Sequence, residues 1–458
     1  MKPLKIYKIE QAVNGSIIKG DAQLEINNVC TDSRNIKKGD LFIPLKGDKH
    51  DAHKFIPEAI KKGVRAVIVD RNSIQDYDVT IINVDDTNKA LQDLAHYYRM
   101  QIENLKVVAI TGSSGKTTTK DMIAAILKKK YKVIKTDGNL NNHFGLPLSL
   151  LKMEGDEDVA VLEMGMSELG EIKLLTEIAA PDIGVITNVG ATHLEFLQTV
   201  ENVARGKSEL IAGLKEEGIA ILNYDNIYVR KMNKSFQGKK LLYYGFNTDA
   251  DLRAEKIEID NDKYTASFTV NYRGYKQRLK ISKPGKHNIY NALAAIGVAR
   301  ELKIDWTDIK YGLIASDYTE LRQEIKTGKD FVLINDTYNA NPMSMKAALD
   351  VLVDVAKKRK VAVLGAMFEL GSKKEKAHKE IGEFIITKDI DILITVGDLA
   401  KEIARGAKDK QNKVIIYEAK NNRQAVKLIN EILKPKDTIL VKGSRGNKME
   451  EIVDEVIE

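Results

Sequence analysis

The chain has 458 residues, 43% of them hydrophobic and 30% charged, so its length predicts two or three domains. No run of eighteen apolar residues occurs, and the start MKPLKIYKIEQAV lacks an apolar core. We therefore expect no membrane insertion and no secretory signal. The single cysteine, Cys30, excludes an internal disulfide and predicts a cytoplasmic protein, and the lack of a CxxC motif argues against structural zinc.

The net charge of +7 leaves two interpretations open. A lysine-rich solvated surface is the simpler one, and a basic cleft for anionic small molecules is the other. Nucleic-acid binding would require clustered cations with interleaved aromatic residues, and aromatics make up only 6% of the chain. We expect no nucleic-acid partner.

The pattern of apolar residues divides the chain into three segments. Residues 1–102 contain short β-like runs near Leu41, Val64 and Val79 and then a helical run, which predicts a small α/β domain. In residues 103–316 strands alternate with helices, which predicts a parallel sheet. Within this segment, the short alternating strands of residues 252–281 predict an antiparallel patch. A helix over residues 287–304 is expected to close the domain. Residues 317–458 show a second alternation and predict a Rossmann-like domain.

A phosphate loop follows the first strand of the middle segment, in VVAITGSSGKTTTKD. Glycines let backbone amides turn toward an anion, Lys116 can reach its phosphates, and the Thr117 hydroxyl can ligate Mg²⁺. Ile110 stands where such loops usually begin with glycine. The residues expected to hold the nucleotide phosphates are Thr111, Gly112, Ser113, Ser114, Gly115, Lys116, Thr117 and Thr118.

Two later strands of this segment end in polar residues suited to metal binding. VAVLEMG presents Glu163, a hard oxygen ligand for Mg²⁺. DIGVITNVGATHLE ends near His193, at the edge of the sheet where ligands bind in parallel α/β folds. Phosphate loops serve motors, switches, kinases and ligases alike, so the loop by itself leaves the reaction open.

Several stretches together resemble the ATP-dependent Mur ligase family: TGSSGKTTTK, LEMGMSELGEI, TNVGATHLE, ARGKSEL and GKHNIYNALAA. TDSRNIKKGDLFIPLKG resembles the nucleotide-sugar domain of some members. GNLNNHFGLPLSL and NDTYNANPMSMKAAL resemble the members that join D-alanyl-D-alanine to a UDP-N-acetylmuramoyl-tripeptide. The chain departs from the usual motifs at Ala52, Leu321 and Ala366.

The resemblance implies an ATP-dependent amide ligase of peptidoglycan precursor synthesis that acts as a monomer. The peptide carboxylate would become an acyl phosphate, and the amine of D-alanyl-D-alanine would then displace phosphate. ATP and two Mg²⁺ ions would be required. Lys116 would hold the phosphates, and the metal ligands would be Thr117, Glu163, His193 and a carbamate on Lys207.

The resemblance also implies residues for the nucleotide and for the other substrates. Asn288 and Asn291 would bind adenine, Arg322 a phosphate and Asp336 the ribose, although a helix cap or a surface ion pair would explain some of these residues equally well. The nucleotide sugar would contact Ser33, Arg34 and Lys46. The two peptide substrates would contact Asn141, Asn142, Tyr338, Asn339 and Asn341.

Two alternatives stay open at this point. A related ligase could add a diamino acid or build a cofactor instead. A nucleotide-dependent switch or motor would share the phosphate loop, but the sequence shows no Walker-B aspartate, arginine finger or basic track.

Overall fold

The computed structural model describes residues 1–47, 50–70, 76–316, 318–408 and 413–457, and its strands form three large sheets and one small pair. The three large sheets follow one another along the chain, and helices pack against each. This is the α/β architecture that the alternation of strands and helices predicts. In the described part of the chain, no helix combines the length and apolarity needed to cross a membrane.

The N-terminal part consists of short strands and helices: β1 (Leu4–Lys5), α1 (Ile6–Ala12), β2 (Ser16–Lys19), β3 (Glu25–Ile26), β4 (Val29–Cys30), β5 (Leu41–Phe42), α2 (Ile56–Lys61), β6 (Ala66–Asp70), β7 (Thr80–Val84) and α3 (Thr87–Met100). Five strands form a sheet in the order β2-β7-β6-β5-β4, while β1 pairs with β3. The Asp86 carboxylate caps α3, and Leu91, Leu94, Ala95 and Tyr98 are buried on one face.

The middle part carries the widest sheet. Its elements are β8 (Lys106–Thr111), α4 (Lys116–Leu127), β9 (Val133–Lys135), α5 (Gly145–Leu151), β10 (Val159–Glu163), α6 (Glu171–Ala179), β11 (Ile183–Ile186), α7 (Leu194–Leu197), α8 (Val200–Ala212), β12 (Ile219–Asn223), α9 (Ile227–Arg230), β13 (Lys240–Gly245), β14 (Leu252–Asp260), β15 (Thr265–Tyr272), β16 (Tyr275–Ile281), α10 (Lys286–Glu301) and α11 (Trp306–Ile314).

This sheet has nine strands in the order β16-β15-β14-β13-β12-β11-β8-β10-β9. Strands β8 to β14 pair in parallel, whereas β15 pairs antiparallel with both β14 and β16, which confirms the antiparallel patch. Strand β8 lies between β10 and β11, and the apolar residues of these three strands are buried. The phosphate loop therefore starts from the interior of a parallel sheet, where the strand that carries it is held on both sides.

The C-terminal part consists of β17 (Glu324–Thr327), β18 (Val332–Asp336), α12 (Pro342–Val355), β19 (Lys360–Leu364), α13 (Lys374–Ile385), β20 (Ile392–Val396), α14 (Lys401–Lys408), β21 (Ile415–Ala419), α15 (Asn422–Ile432), β22 (Thr438–Lys442) and α16 (Glu450–Ile457). Its six strands lie in the order β17-β18-β22-β19-β20-β21, and all except β17 are parallel. Strands β18, β22 and β19 are neighbours, so the loops after them meet at one edge.

Two elements differ from the sequence-based expectation. The helix 287–304 does not close the middle part, because α11 follows it, and β17 adds an antiparallel edge strand. Helix α11 has nine residues and buries only Ile309, Gly312 and Leu313, too few for a clear helical period. The domain boundaries at 102/103 and 316/317 stay predictions, and residue 317 lies outside the described residues.

Candidate active site

A cavity of about 1090 Å³ lies between the middle and C-terminal parts. It is lined by the phosphate loop, by the segments after β10 and β11, by the start of α10 and by the loop after β18. Carboxyl ends of parallel strands from both sheets therefore face the same space, the usual position of a ligand site in such folds.

The phosphate loop is held by the segment that follows β11. The backbone N–H of Ser113 donates to the Asn188 carbonyl (3.0 Å), and that of Ser114 donates to Asn188 Oδ1 (2.9 Å). The Thr187 hydroxyl donates to the Ser114 carbonyl (2.6 Å). These contacts fix the loop, and residues 115–118, where the first N–H groups of α4 have no partner within the helix, line the cavity.

Gly115 is the N-cap residue that precedes α4, and its backbone lies in the left-handed region, with φ of +82°. A Cβ atom there would lie 2.4 Å from Asn291 Oδ1 on α10, so the position excludes side chains for a second, independent reason. Gly274 also has a left-handed φ (+88°), but its Cβ would meet no atom within 4 Å. A comparison of Gly115 with Gly274 therefore distinguishes the effect of backbone strain from the effect of a steric clash.

We expect Gly115→Ala to lower the free energy of unfolding by about 1–3 kcal/mol and to weaken nucleotide binding. Gly274→Ala should lower the free energy of unfolding by only about 1 kcal/mol and leave nucleotide binding unchanged, because the added methyl group strains the backbone but clashes with no neighbouring atom. Thermal unfolding and ATP titration of both variants measure the difference. Equal behaviour of the two variants would contradict the close packing of Gly115 on Asn291.

Lys116 bends back over its own loop. Its ammonium donates to the Gly112 carbonyl (2.8 Å). Burial lowers the pKa of Lys116, and the nearby Arg322 lowers it further while Glu163 opposes the shift. A partly buried cation whose hydrogen-bond partner among the described residues is a backbone carbonyl is suited to an anion in the cavity.

Three side chains converge at the carboxyl end of β10. The Thr117 hydroxyl donates to Glu163 Oε2 (2.8 Å), and Asn141 Nδ2 donates to Glu163 Oε1 (2.9 Å). Glu163 is almost fully buried, and its backbone N–H donates to the Thr136 hydroxyl (3.0 Å). Hydroxyl and carboxylate oxygens at this spacing are the ligand type that Mg²⁺ prefers. The predicted pair Thr117 and Glu163 is thus brought together.

His193 lies at the border with the C-terminal part. Its backbone is left-handed (φ +53°), and its Nδ1 atom lies 2.6 Å from Glu369 Oε2. The facing imidazole lowers the pKa of Glu369. The backbone N–H of Glu195 also donates to the Glu369 carbonyl (3.1 Å), so main-chain and side-chain contacts join the two parts here.

Lys207 lies on α8 with only 1% of its surface exposed. Among the described residues, no hydrogen bond or ion pair engages its ammonium. Burial lowers the pKa of Lys207 well below its usual value, and the nearby Lys116 adds to the effect. The side chain therefore favours the neutral, nucleophilic amine.

Asn288 and Asn291 are adjacent on α10, as their spacing predicts. Asn291 Nδ2 donates to Asn288 Oδ1 (3.3 Å), and Asn288 Nδ2 donates to Gln323 Oε1 (2.9 Å) in the segment that links the two parts. Gln323 Oε1 also lies 2.9 Å from His287 Nε2. The linker is thus attached to the helix that carries both asparagines.

Arg322 and Asp336 line the same cavity. The Arg322 guanidinium lies 3.9 Å from the ring centroid of Tyr338. Asp336 Oδ2 accepts from the buried Lys442 (2.6 Å), whose ammonium also donates to the Asn339 carbonyl (2.9 Å). The aspartate therefore orders the loop that follows β18.

Asparagines of the two predicted peptide-binding segments also stabilise the fold, because they accept hydrogen bonds at the starts of helices. Asn341 caps α12 together with Ser344, and its Nδ2 donates to the Ser113 carbonyl (3.2 Å). Asn142 Oδ1 accepts from the backbone N–H of Gly145 (2.8 Å) at the start of α5. Both line the cavity, as do Asn141, Tyr338 and Asn339.

Some predicted residues lie away from the cavity. The Thr111 hydroxyl is fully buried and donates to the Met164 carbonyl (2.8 Å). Ser33, Arg34 and Lys46 lie on the N-terminal part and do not line the cavity among the described residues. Arg34 is mostly exposed and forms an ion pair with Asp32 (2.7 Å).

Sequence reasoning missed Asn188, Gln323, Glu369 and Lys442 as site residues. Lys442 ends the buried strand TILVK, so the rule that identified Glu163 could have found it. Glu369 and Gln323 lie in loops with left-handed backbones (φ of +60° and +51°). No periodic pattern marks them, because tertiary contacts determine where they point.

The phosphate loop lies beside a buried carboxylate, and a second α/β unit forms the other side of the cavity. This arrangement defines a nucleotide-dependent enzyme of three parts. The chain matches the Mur ligase family, catalytic domain, over residues 25–99, the Mur ligase middle domain over 110–299, and the Mur ligase, glutamate ligase domain, over 321–445. It belongs to the Mur ligase family.

Two curated relatives carry the same name. The chain is 40% identical to the UDP-N-acetylmuramoyl-tripeptide–D-alanyl-D-alanine ligase of Bacillus subtilis, over 99% of this chain and 98% of that protein. It is 34% identical to the Escherichia coli ligase of the same name, over 99% and 98%. Two crystal structures are similar: MurF from Acinetobacter baumannii (TM-score 0.93, 31% identity, 100% and 99% coverage) and MurF ligase from Thermotoga maritima in complex with ADP (0.84, 30%, 94% and 97%).

Proposed function

We propose that the chain is an ATP-dependent ligase that joins D-alanyl-D-alanine to UDP-N-acetylmuramoyl-tripeptide in peptidoglycan precursor synthesis. ADP and phosphate are the other products. The observation that carries this function is the likeness to ligases of that name over 99% of the chain, at 40% identity. The cavity supports it, because its groups suit a triphosphate and a carboxylate.

The triphosphate lies at the N-terminus of α4, with Lys116 and Arg322 as its cations. Both side chains are partly buried, and neither forms an ion pair among the described residues, so they can bind phosphate without first breaking one. Asn288 and Asn291 bind the adenine edge, since amide groups both donate and accept. Asp336, already oriented by Lys442 at 2.6 Å, accepts from the ribose hydroxyls.

Thr117, Glu163 and His193 would hold two Mg²⁺ ions. The fit is supported by the close approach of the Thr117 and Glu163 oxygens, 2.8 Å apart. When bound, Mg²⁺ lowers the repulsion between an anionic nucleophile and an anionic phosphate. Lys207 contributes a further oxygen ligand as a carbamate, because a buried neutral amine reacts readily with carbon dioxide.

The reaction proceeds through an acyl phosphate on the peptide. A carboxylate resists attack by an amine because its leaving group would be oxide, and phosphorylation provides a better one. Ser33, Arg34 and Lys46 bind the nucleotide sugar on the N-terminal part (1–102), outside the cavity. The middle (103–316) and C-terminal (317–458) domains must then close with it around the peptide, which excludes water from the acyl phosphate.

The assembly we infer is a monomer in the cytoplasm, without nucleic-acid partners. The single cysteine supports a reducing compartment. Sedimentation of the protein with its nucleotide should give the mass of one copy.

ADP formation with each substrate omitted in turn tests the function. We expect ADP only when both the nucleotide-sugar tripeptide and D-alanyl-D-alanine are present. Oxygen-18 in the tripeptide carboxylate should appear in the released phosphate, because one carboxylate oxygen leaves with the phosphoryl group. A diamino acid that replaced the dipeptide would favour the alternative ligase, and phosphate without the label would contradict the acyl phosphate.

A further inference from the structure

The linker, residues 318–323, precedes β17 and joins the middle part to the C-terminal part. Its first half is fastened to the helix that follows the phosphate loop. The hydroxyl and the backbone N–H of Thr319 both donate to the buried carboxylate of Asp121 on α4 (2.8 and 3.1 Å). Asp121 also pairs with Lys135 (2.6 Å), so the carboxylate is fixed before it accepts from the linker.

The second half of the linker is strained on both sides of Arg322. Leu321 has a φ of +61° and Gln323 a φ of +51°, a region that residues with a side chain occupy only when neighbouring contacts hold them there. The Leu321 carbonyl accepts from the backbone N–H of Tyr338 (3.1 Å) in the C-terminal part. Gln323 is held by α10 of the middle part. Contacts from two domains therefore fix the residues that flank the arginine.

Lys283 holds Arg322 itself. It lies in the short segment between β16 and α10, with 8% of its surface exposed. Its ammonium donates to the backbone carbonyl of Arg322 and lies 4.3 Å from the ring centroid of Tyr318. Burial lowers the pKa of Lys283 to about 8, and Asp336 opposes the shift, so the ammonium is still mostly charged at neutral pH.

The Arg322 side chain depends on this backbone for its direction. Its guanidinium contacts the Tyr338 ring, but no ion pair holds it among the described residues, and its buried Nε atom has no hydrogen-bond partner there. A guanidinium whose N–H groups stay free for a ligand keeps one orientation only if its backbone is fixed. The contact from Lys283 to the Arg322 carbonyl supplies that restraint.

We propose that Lys283 is a positioning residue for the triphosphate, which it serves by holding the backbone of Arg322. This inference rests on the proposed function, which assigns Arg322 to a phosphate. Lys283 also lines the cavity, so a direct contact of its ammonium with the nucleotide is the competing explanation. The two differ in one respect. A residue that acts through Arg322 loses its effect when the guanidinium is removed, whereas a direct contact does not.

A double-mutant cycle of Lys283→Met and Arg322→Met tests the proposal, with the binding of the ATP analogue AMP-PNP and Mg²⁺ measured by calorimetry. We expect Lys283→Met to raise Kd about tenfold when Arg322 is present, and by no more than about twofold in the Arg322→Met background. An equal loss in the two backgrounds would overturn the proposal, because Lys283 would then contact the nucleotide directly.

Lys276→Met is the matched control, since this exposed lysine lies on β16, the strand that leads to Lys283, and should keep the native Kd. Lys283→Arg retains a cationic N–H donor above the Tyr318 ring and should bind within about threefold of the native chain. A loss as large as that of Lys283→Met would count against the hydrogen bond to the carbonyl.

Thermal unfolding shows whether Lys283→Met folds. If it does not, Tyr318→Leu carries the same cycle, because it leaves the ammonium in place and removes the ring that orients it. We expect about a threefold rise in Kd that disappears in the Arg322→Met background. A rise that persists there would also overturn the proposal.

The two proposals fail in different ways. If the native chain forms no product from the tripeptide precursor and D-alanyl-D-alanine, the proposed function fails, whereas the binding cycle needs no ligation. If the native chain ligates the dipeptide but Lys283→Met loses the same affinity with and without the Arg322 guanidinium, only the role of Lys283 fails.

Discussion

Lys116→Met should lower the rate of ADP formation about a hundred- to a thousandfold, with the fold intact. The ammonium is the group that we propose holds the terminal phosphates, and methionine keeps the approximate shape of the side chain without its charge. Because burial lowers the pKa of Lys116, the protein loses free energy by holding it charged, so removal of the charge should not lower the unfolding temperature. Initial rates and thermal unfolding measure both effects.

Lys130→Met is the matched control for this prediction. Lys130 follows α4, the helix that Lys116 begins, and its ammonium faces an exposed backbone carbonyl at Lys303 (3.4 Å). We expect native rates from it. A Lys116→Met enzyme with more than about a tenth of the native rate would contradict the assigned role.

Lys207→Ala should lose roughly a hundredfold or more in rate, and small carboxylates such as acetate should restore part of it. The reason is that the proposed carbamate would supply a carboxylate-like oxygen near the proposed metal sites, and acetate could occupy the space that alanine leaves. The lowered pKa of Lys207 favours the neutral amine that carbon dioxide attacks. Rates with and without acetate test the rescue of activity, and carbon-13 NMR with labelled bicarbonate tests whether Lys207 carries a carbamate.

Lys215→Ala provides the comparison, since this exposed lysine follows α8, the helix that carries Lys207. It should keep native rates and show no response to acetate. Should Lys207→Ala fail to respond to any small carboxylate, and no labelled carbon bind the native chain, Lys207 would act as an amine and the carbamate would be rejected.

Much of the fold can be predicted from the sequence, because buried parallel strands appear as continuous apolar runs. Strands β8, β10 and β11 are of this kind, and the rule that ligands lie at their carboxyl ends locates Glu163 and the phosphate loop. The helical spacing of Asn288 and Asn291 likewise places them side by side. These inferences succeed because they depend on local periodicity alone.

The remaining features depend on contacts between distant segments. Glu369 meets His193 only because two domains approach each other, and Gln323 meets Asn288 through the linker. Helix α11 is too short to show a period. Thr111 is predicted as a nucleotide-binding residue because it belongs to the phosphate-loop motif. Its hydroxyl instead donates to the Met164 carbonyl, away from the cavity. Motif membership therefore does not determine where a side chain points.

The contact between Asn341 and the Ser113 carbonyl has a consequence for domain motion. It brings the start of α12 against the loop that begins α4, so the positive ends of two helix dipoles from different domains share one region. Like ends repel each other, whereas a polyanion attracts both. We therefore expect the bound triphosphate to hold the two domains together electrostatically, and this attraction to weaken after phosphoryl transfer and product release, because ADP carries less charge than ATP.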